Sequence, residues 1–194
     1  MTRLPVLRTE RLELRFADPS EAPAVVRYYA NNRDFLAPFQ FCYAVDFFTD
    51  KFWEGQLRKN IEAFEEDRGV HFFVFNPQQT DSPERGIIGS VNFTGFLRRA
   101  SQFCYLGYGL SEGNEGRGYM TEAVRSAIDY VFQEKNMHRI MANYMPGNIK
   151  SARVLRKLGF RIEGFARDYL LLNGKWEDHV MTALVNPNWK PDVA

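Results

Sequence analysis

The run Phe103-Cys104-Tyr105-Leu106-Gly107-Tyr108-Gly109-Leu110, continued by Ser111-Glu112-Gly113-Asn114-Glu115-Gly116-Arg117-Gly118 and then Tyr119-Met120, decides how this chain is built. In the first eight residues Cys104, Leu106, Tyr108 and Leu110 alternate with Phe103, Tyr105, Gly107 and Gly109, the two-residue period of a strand. After the glycine-rich loop, Met120, Ala123, Val124, Ala127, Ile128, Val131 and Phe132 recur at three- and four-residue spacing and form one apolar helical stripe. Residues 139–144 read as a further strand. A strand, a long helix and a strand in that order predict a right-handed parallel crossover.

Outward from this unit the elements follow closely. Residues 12–16 read as a strand, and Asp18-Pro19-Ser20-Glu21 combines an N-cap, a proline at the first helical position and a capping-box glutamate. A helix should follow to about Tyr29. Residues 31–46 form a loop carrying Phe35, Phe39, Phe41 and Tyr43, split between core and rim, where they could wall a peptide channel. Thr49 opens a second helix with Trp53, Leu57, Ile61 and Phe64 on one face. Residues 70–76 and 86–96 read as a strand pair joined by the polar stretch 77–83. Pro146-Gly147-Asn148 turns the chain into a short helix ending at Leu158-Gly159, where the glycine suits the left-handed position past a helix end. Residues 161–172 and 175–184 flank Asn173-Gly174, the strongest short hairpin signal.

Composition sets the class of function. The 194 residues carry 25 Lys and Arg against 24 Asp and Glu, with 45% apolar residues and a mean hydropathy of −0.39. No repeat or linker divides them, so one domain over residues 1–194 is expected. A net charge of +1 argues against a general polyanion binder, and no direct DNA contact is expected. No apolar run approaches a membrane span and the first residues lead into charged sequence rather than a signal peptide, so a cytoplasmic protein without membrane contact is expected. Cys42 and Cys104 stand apart, and His71, His138 and His179 have no ligand spacing. Neither a disulfide framework nor a metal site is predicted. Cys104, in an alternating strand, reads as a small buried residue rather than a nucleophile. A monomer is the default.

The loop from Gly113 to Gly118 lies between a strand and a helix N-terminus. Successive unobstructed N–H groups there, with the positive end of the helix dipole, make a cavity for a phosphate or pyrophosphate, to which Arg117 could add its charge. The plainer alternative is a flexible loop. No Gly-Lys-Ser/Thr follows, which argues against a Walker A loop. Gly107 and Gly109 lie inside the strand, which argues against a dinucleotide fingerprint. Asn148 and Ser151 start the next helix, Asn148 as a plausible N-cap. Lys150, Arg153, Arg156 and Lys157 form a basic face of that helix.

These segments together resemble the GNAT acetyltransferases: Tyr105-Leu106-Gly107-Tyr108, Glu115-Gly116-Arg117-Gly118, Asn148 to Ser151 and Leu158-Gly159-Phe160. Within that family the chain is most similar to the RimJ type, the ribosomal-protein-alanine N-acetyltransferases. That likeness rests on Cys104 to Tyr108, the run His138-Arg139-Ile140-Met141-Ala142-Asn143-Tyr144-Met145-Pro146, Asp168-Tyr169-Leu170-Leu171, Asp178-His179-Val180 and Thr182-Ala183-Leu184.

The resemblance implies an α/β (α+β) fold with a central, mostly antiparallel twisted sheet, a splayed parallel strand pair and flanking helices. It implies acetyl-CoA as donor substrate, with no metal. The amides of Gly116, Arg117, Gly118, Tyr119 and Met120 would hold its pyrophosphate, and the backbone from Tyr108 to Leu110 its pantetheine. Asn148 and Ser151 would reach the pantetheine and the sulfur, with Ser151 protonating the departing thiolate. The tyrosine that serves as acid in many relatives falls here at Leu155, so that scheme does not transfer. Glu115 and Met120 depart from the usual loop pattern. The base is unassigned; Glu163, Asp168 and Asp178 could orient water or the ammonium. The implied reaction is transfer of acetyl to the N-terminal alanine of a small-subunit ribosomal protein, by direct attack in a ternary complex. The alternatives are acetylation of a polyamine or aminoglycoside, or a mainly non-catalytic acetyl-CoA-binding module in ribosome assembly.

Overall fold

The computed structural model describes residues 3–82 and 86–191, so Pro83 of the polar connection lies outside the described residues. The described strands are β1 (Val6–Arg8), β2 (Glu13–Arg15), β3 (Gly69–Phe75), β4 (Ile87–Leu97), β5 (Phe103–Leu110), β6 (Arg139–Tyr144), β7 (Arg161–Leu172) and β8 (Lys175–Val185). The helices are α1 (Ala22–Asn31), α2 (Arg33–Leu36), α3 (Asp50–Glu65), α4 (Tyr119–Gln133) and α5 (Ile149–Lys157). The strands make one sheet in the order β1-β2-β3-β4-β5-β6-β8-β7. Every neighbouring pair is antiparallel except β5 and β6, which run parallel with α4 between them in sequence. The α/β architecture and the parallel pair are those expected from the sequence.

Helices cover both faces because the strands alternate. On β3, Val70, Phe72 and Val74 enter a core cluster with Ala123, Val124, Ala127 and Val131 of α4 and Leu155 of α5. Phe73 and Phe75 enter a second cluster with Val25 and Tyr28 of α1 and Trp53 and Leu57 of α3. The capping box before α1 forms as read: Asp18 accepts from the Ser20 amide, and Glu21 accepts from the Asp18 amide. Two features were not expected. β1 is too short to show a period, and pairing with β2 alone makes it a strand. The aromatic stretch is partly helical, containing α2 and a 3-10 turn over Ala37–Phe39.

The turn between β1 and β2 fastens the start of α4. Glu122, in the first turn of α4, accepts from the Thr9 hydroxyl (2.6 Å), the Arg11 amide (3.0 Å) and the Arg11 guanidinium. Arg11 also donates to the Arg117 carbonyl at 3.0 Å and lies over the Tyr119 ring, 4.6 Å from its centroid. A carboxylate in the first turn also complements the helix dipole. Burial alone would raise the Glu122 carboxyl, but the hydrogen bonds from Thr9 and Arg11 outweigh it and hold the group below the usual range.

Two outcomes are expected. Ile140→Ala, which empties a fully buried position on β6, should cost about 2–5 kcal/mol in urea unfolding. A carboxyl whose folded pKa lies below its unfolded value of about 4.3 contributes stability above that value and loses it as pH falls through the folded one. The urea midpoint of Glu122→Gln should therefore lie below wild type at pH 7, and the two should converge as the pH falls past the lowered pKa of the folded carboxyl.

Candidate active site

β5 and β6 share three ladder pairs: Phe103 with Arg139, Cys104 with Ile140 and Tyr105 with Met141. Beyond them β5 stays paired with β4 as far as Leu110, and β6 with β8 as far as Tyr144. Each strand is thus held on its outer edge while the inner edges part. The gap is a cavity of about 280 Å³, walled by residues 106–109 on one side and 142–145 on the other. Asn148 and Ser151 close one end, and Phe39, Gln40, Leu172 and His179 line it elsewhere. The inner edge of β5 beyond Tyr105 has no strand partner, so its N–H and C=O groups are available to a ligand backbone. Tyr108 lines the cavity; Leu110 does not, and ends β5 opposite Gly89.

The glycine-rich loop ends at the α4 N-terminus. Gly116 and Gly118 have φ of +74° and +81°. A Cβ at Gly116 would meet nothing within 4 Å, so the backbone conformation, not crowding, calls for glycine there. Tyr119 and Met120 are buried in the core, which leaves their amides as the groups they can offer at the helix start. Arg117 is exposed. Glu115 forms an ion pair with Lys150, tying the loop to the first turn of α5. The basic face is therefore partly neutralised, and the Lys150 ammonium also sits 5.5 Å from the Phe35 ring centroid.

At the start of α5 the Asn148 side chain accepts from the Ser151 amide at 3.0 Å, the N-cap expected from the sequence. The Ser151 hydroxyl lies 2.7 Å from the Tyr108 hydroxyl. Burial pushes the Tyr108 phenol up to about 12 although the hydrogen bond with Ser151 opposes the shift, so it is protonated at neutral pH. Burial likewise takes Tyr29 to about 12, against a hydrogen bond with Ser90. Cys104 is fully buried and its thiol is pushed up to about 12, which makes it inert as a nucleophile.

None of the three carboxylates considered as orienting groups lines the cavity. Glu163 is paired with Arg139. Asp178 accepts from the Asp168 amide at 2.9 Å, and Asp168 has φ of +46°. This contact stabilises a bulge: Ala166 faces His179 and Leu170 faces Glu177, so three residues of β7 oppose the single Asp178. The residue next to Asp178 is the one that reaches the site. His179 is 3% exposed, lines the cavity and packs against Tyr169 of the bulge, ring centroids 5.5 Å apart. The Tyr169 hydroxyl in turn accepts from Asn143 Nδ2 at 3.3 Å. Asn143, also a lining residue, has its Oδ1 buried without a hydrogen-bond partner.

Sequence reasoning missed His179, Asn143 and Tyr169. Strand alternation was the available signal for the first, because Asp178 and His179 point to opposite faces and only one can line a cleft. His71 and His138 lie elsewhere, the latter against Trp189 at 5.2 Å between ring centroids. Among the described residues no group of three or more His, Cys, Asp and Glu side chains could hold a metal ion. No described helix is long and apolar enough to cross a membrane.

The aromatic stretch divides as expected between core and rim. Phe35 packs on the second core cluster, Phe39 lines the cavity, Phe41 is exposed, and Tyr43 sits against Phe47 and Phe48. The Asn173-Gly174 turn closes over this stretch, the Asn173 amide donating to the Gln40 carbonyl at 3.0 Å.

Comparison with known proteins places this geometry. Residues 11–161 match the acetyltransferase (GNAT) domain family. The chain is 40% identical to the [ribosomal protein uS5]-alanine N-acetyltransferase of Escherichia coli strain K12, over 95% of this chain and 93% of that protein. It superposes on the ribosomal-protein-S5-alanine acetyltransferase of Vibrio fischeri with a TM-score of 0.90 at 36% identity, covering 96% of this chain and 100% of the other. Mycobacterium smegmatis RimJ, solved in complex with CoA-disulfide, shares the fold with a TM-score of 0.82 at 24% identity, over 94% and 86% of the two chains. A family match over residues 11–161 and 40% identity across nearly the whole chain show that this chain belongs to the GNAT acetyltransferases.

Proposed function

We propose that this chain is a single cytoplasmic acetyltransferase domain, acting on the N-terminal α-amine of a protein with acetyl-CoA as donor. Its acceptor in this reading is the N-terminal alanine of a small-subunit ribosomal protein. The observation that carries the proposal is the cleft between β5 and β6, with the heads of α4 and α5 following the two strands that part around it. The amides of Gly116, Arg117, Gly118, Tyr119 and Met120 would hold the pyrophosphate, and the unpaired edge of β5 from Tyr108 toward Leu110 would pair with the pantetheine. The bound CoA of the Mycobacterium smegmatis relative and the names of the Escherichia coli and Vibrio fischeri relatives support donor and acceptor.

The chemistry follows from the groups at the cavity end. The acceptor nitrogen attacks the thioester carbonyl within a ternary complex, the C–S bond breaks, and the sulfur takes a proton from Ser151 Oγ. Tyr108, protonated and 2.7 Å away, can replace that proton. Asn148 Oδ1 is engaged by the Ser151 amide, so its Nδ2 remains to donate to the pantetheine. Among the described residues, the cavity is lined by hydroxyls, amides, one imidazole and apolar groups, without a carboxylate. A polycationic small amine would need acidic partners there, so the lining favours a protein N-terminus over a polyamine or aminoglycoside.

Purified protein incubated with acetyl-CoA and ribosomal proteins should add one acetyl group to the N-terminus of one small-subunit protein by intact mass, and none to spermidine. Release of no free thiol above background with an Ala-starting peptide, alongside co-sedimentation with ribosomal particles, would instead favour the assembly-module reading. Ser151→Ala should lower kcat by about 10²-fold while leaving acetyl-CoA affinity within twofold; unchanged turnover removes Ser151 from the mechanism.

A further inference from the structure

An α-amine is mostly protonated at neutral pH and must lose a proton before it can attack. Among the described residues that line the cavity, His179 carries the one imidazole. Its Nδ1 lies 2.9 Å from the Glu177 carbonyl oxygen. A carbonyl oxygen only accepts, so Nδ1 carries the hydrogen and, in the neutral ring, Nε2 carries the lone pair. Tyr169 packs against one side of the ring and its hydroxyl accepts from the amide of Asn143. One Nδ2 hydrogen of Asn143 is used in that bond, while Oδ1 is buried with no partner. A buried acceptor left unsatisfied keeps its desolvation cost, which an incoming N–H donor would recover.

We infer that His179 Nε2 is the proton acceptor for the acceptor's α-ammonium and that Asn143 Oδ1 receives a second N–H of the same group. This inference rests on the acetyl transfer proposed above. The ammonium N–H bond breaks with its proton passing to Nε2 and on to solvent. The freed nitrogen lone pair forms the bond to the thioester carbon, and the sulfur leaves with the C–S electron pair. A second proton is shed from nitrogen as the amide forms, and it balances the one Ser151 gives to sulfur. An α-amine, with a pKa near about 8, gives up its proton far more readily at neutral pH than a lysine ε-amine near about 10.4. That difference favours N-terminal amines over lysine side chains as acceptors.

Tyr169 on β7 packs against the ring, and the other ionisable groups lining the cavity among the described residues are Tyr144 on β6, Tyr108 on β5 and Tyr29 on α1. Burial raises Tyr29, Tyr108 and Tyr169 above the ordinary phenol value. Close by on β7 and β8, Glu177 is paired with Lys175 at 3.0 Å, and Asp178 is engaged by the Asp168 amide.

His179→Asn keeps an N–H donor for the Glu177 carbonyl and removes the Nε2 base. With an Ala-starting peptide at saturating acetyl-CoA, the variant should lose about 10²-fold or more in kcat/KM at pH 7, with acetyl-CoA affinity unchanged. The acid limb of its pH profile should move up to about pH 8, where the peptide amine deprotonates by itself. An active wild type with a variant within threefold of it, on the same pH profile, overturns the inference and leaves the acetyl-transfer reading intact. A wild type that never acetylates the peptide overturns both. Independently of turnover and of how the variant folds, ¹⁵N NMR of the wild-type imidazole should show the Nδ1–H tautomer; the Nε2–H tautomer overturns the inference.

Discussion

The parallel ladder between β5 and β6 runs for three residue pairs and then stops, while each strand continues on its outer partner. Backbone groups must be paired or solvated, so this interruption creates a polar seam in the middle of an otherwise continuous sheet. The helices that follow the two strands both begin at the open end of the seam, α4 after β5 and α5 after β6. Their N-termini bring unpaired N–H groups and positive dipole ends there. An anionic, amide-bearing cofactor matches both features. The buried hydrophobic stripe of α4 keeps the geometry rigid, since Ala123, Val124, Ala127 and Val131 leave almost no accessible surface.

Around the seam the molecule uses neutral polar groups rather than charge. Tyrosine hydroxyls kept protonated by burial, the amides of Asn143 and Asn148, and a single imidazole face the cavity. The carboxylates of the final hairpin are spent on structure: Glu163 on Arg139, and Asp178 on the bulge that carries Tyr169 to His179. The near-zero net charge does not resolve into an acidic field around the acceptor. Even the basic face of α5 is partly cancelled, because Lys150 pairs with Glu115 of the loop.

Most of the fold could be read from local pattern. The period-two run at 103–110, the apolar stripe of α4, the capping box at Asp18 and the Asn173-Gly174 turn each state a conformation within a few residues. β1 escaped that reading because three residues carry no period, and its strand character comes from pairing with β2. Asn148 and Ser151 were legible because an N-cap is a local event, and the structure adds the Tyr108 hydroxyl, 43 positions away, to the same cluster. His179 was passed over for its neighbour because carboxylates were sought on the hairpin, while register decides which of two adjacent strand residues faces the cleft.

Apart from β1 and α2, the sequence by itself determined the elements, their order and the crossover that makes β5 and β6 parallel neighbours, since these depend mainly on local pattern. Tertiary structure alone decided where that pair opens, that the β7 bulge brings Tyr169 against His179, and that Asn143, whose Oδ1 is unpaired, lines the same cavity as His179. Those outcomes follow from strand registers set by residues far apart in sequence, and a shift of one residue would turn each of these side chains to the opposite face.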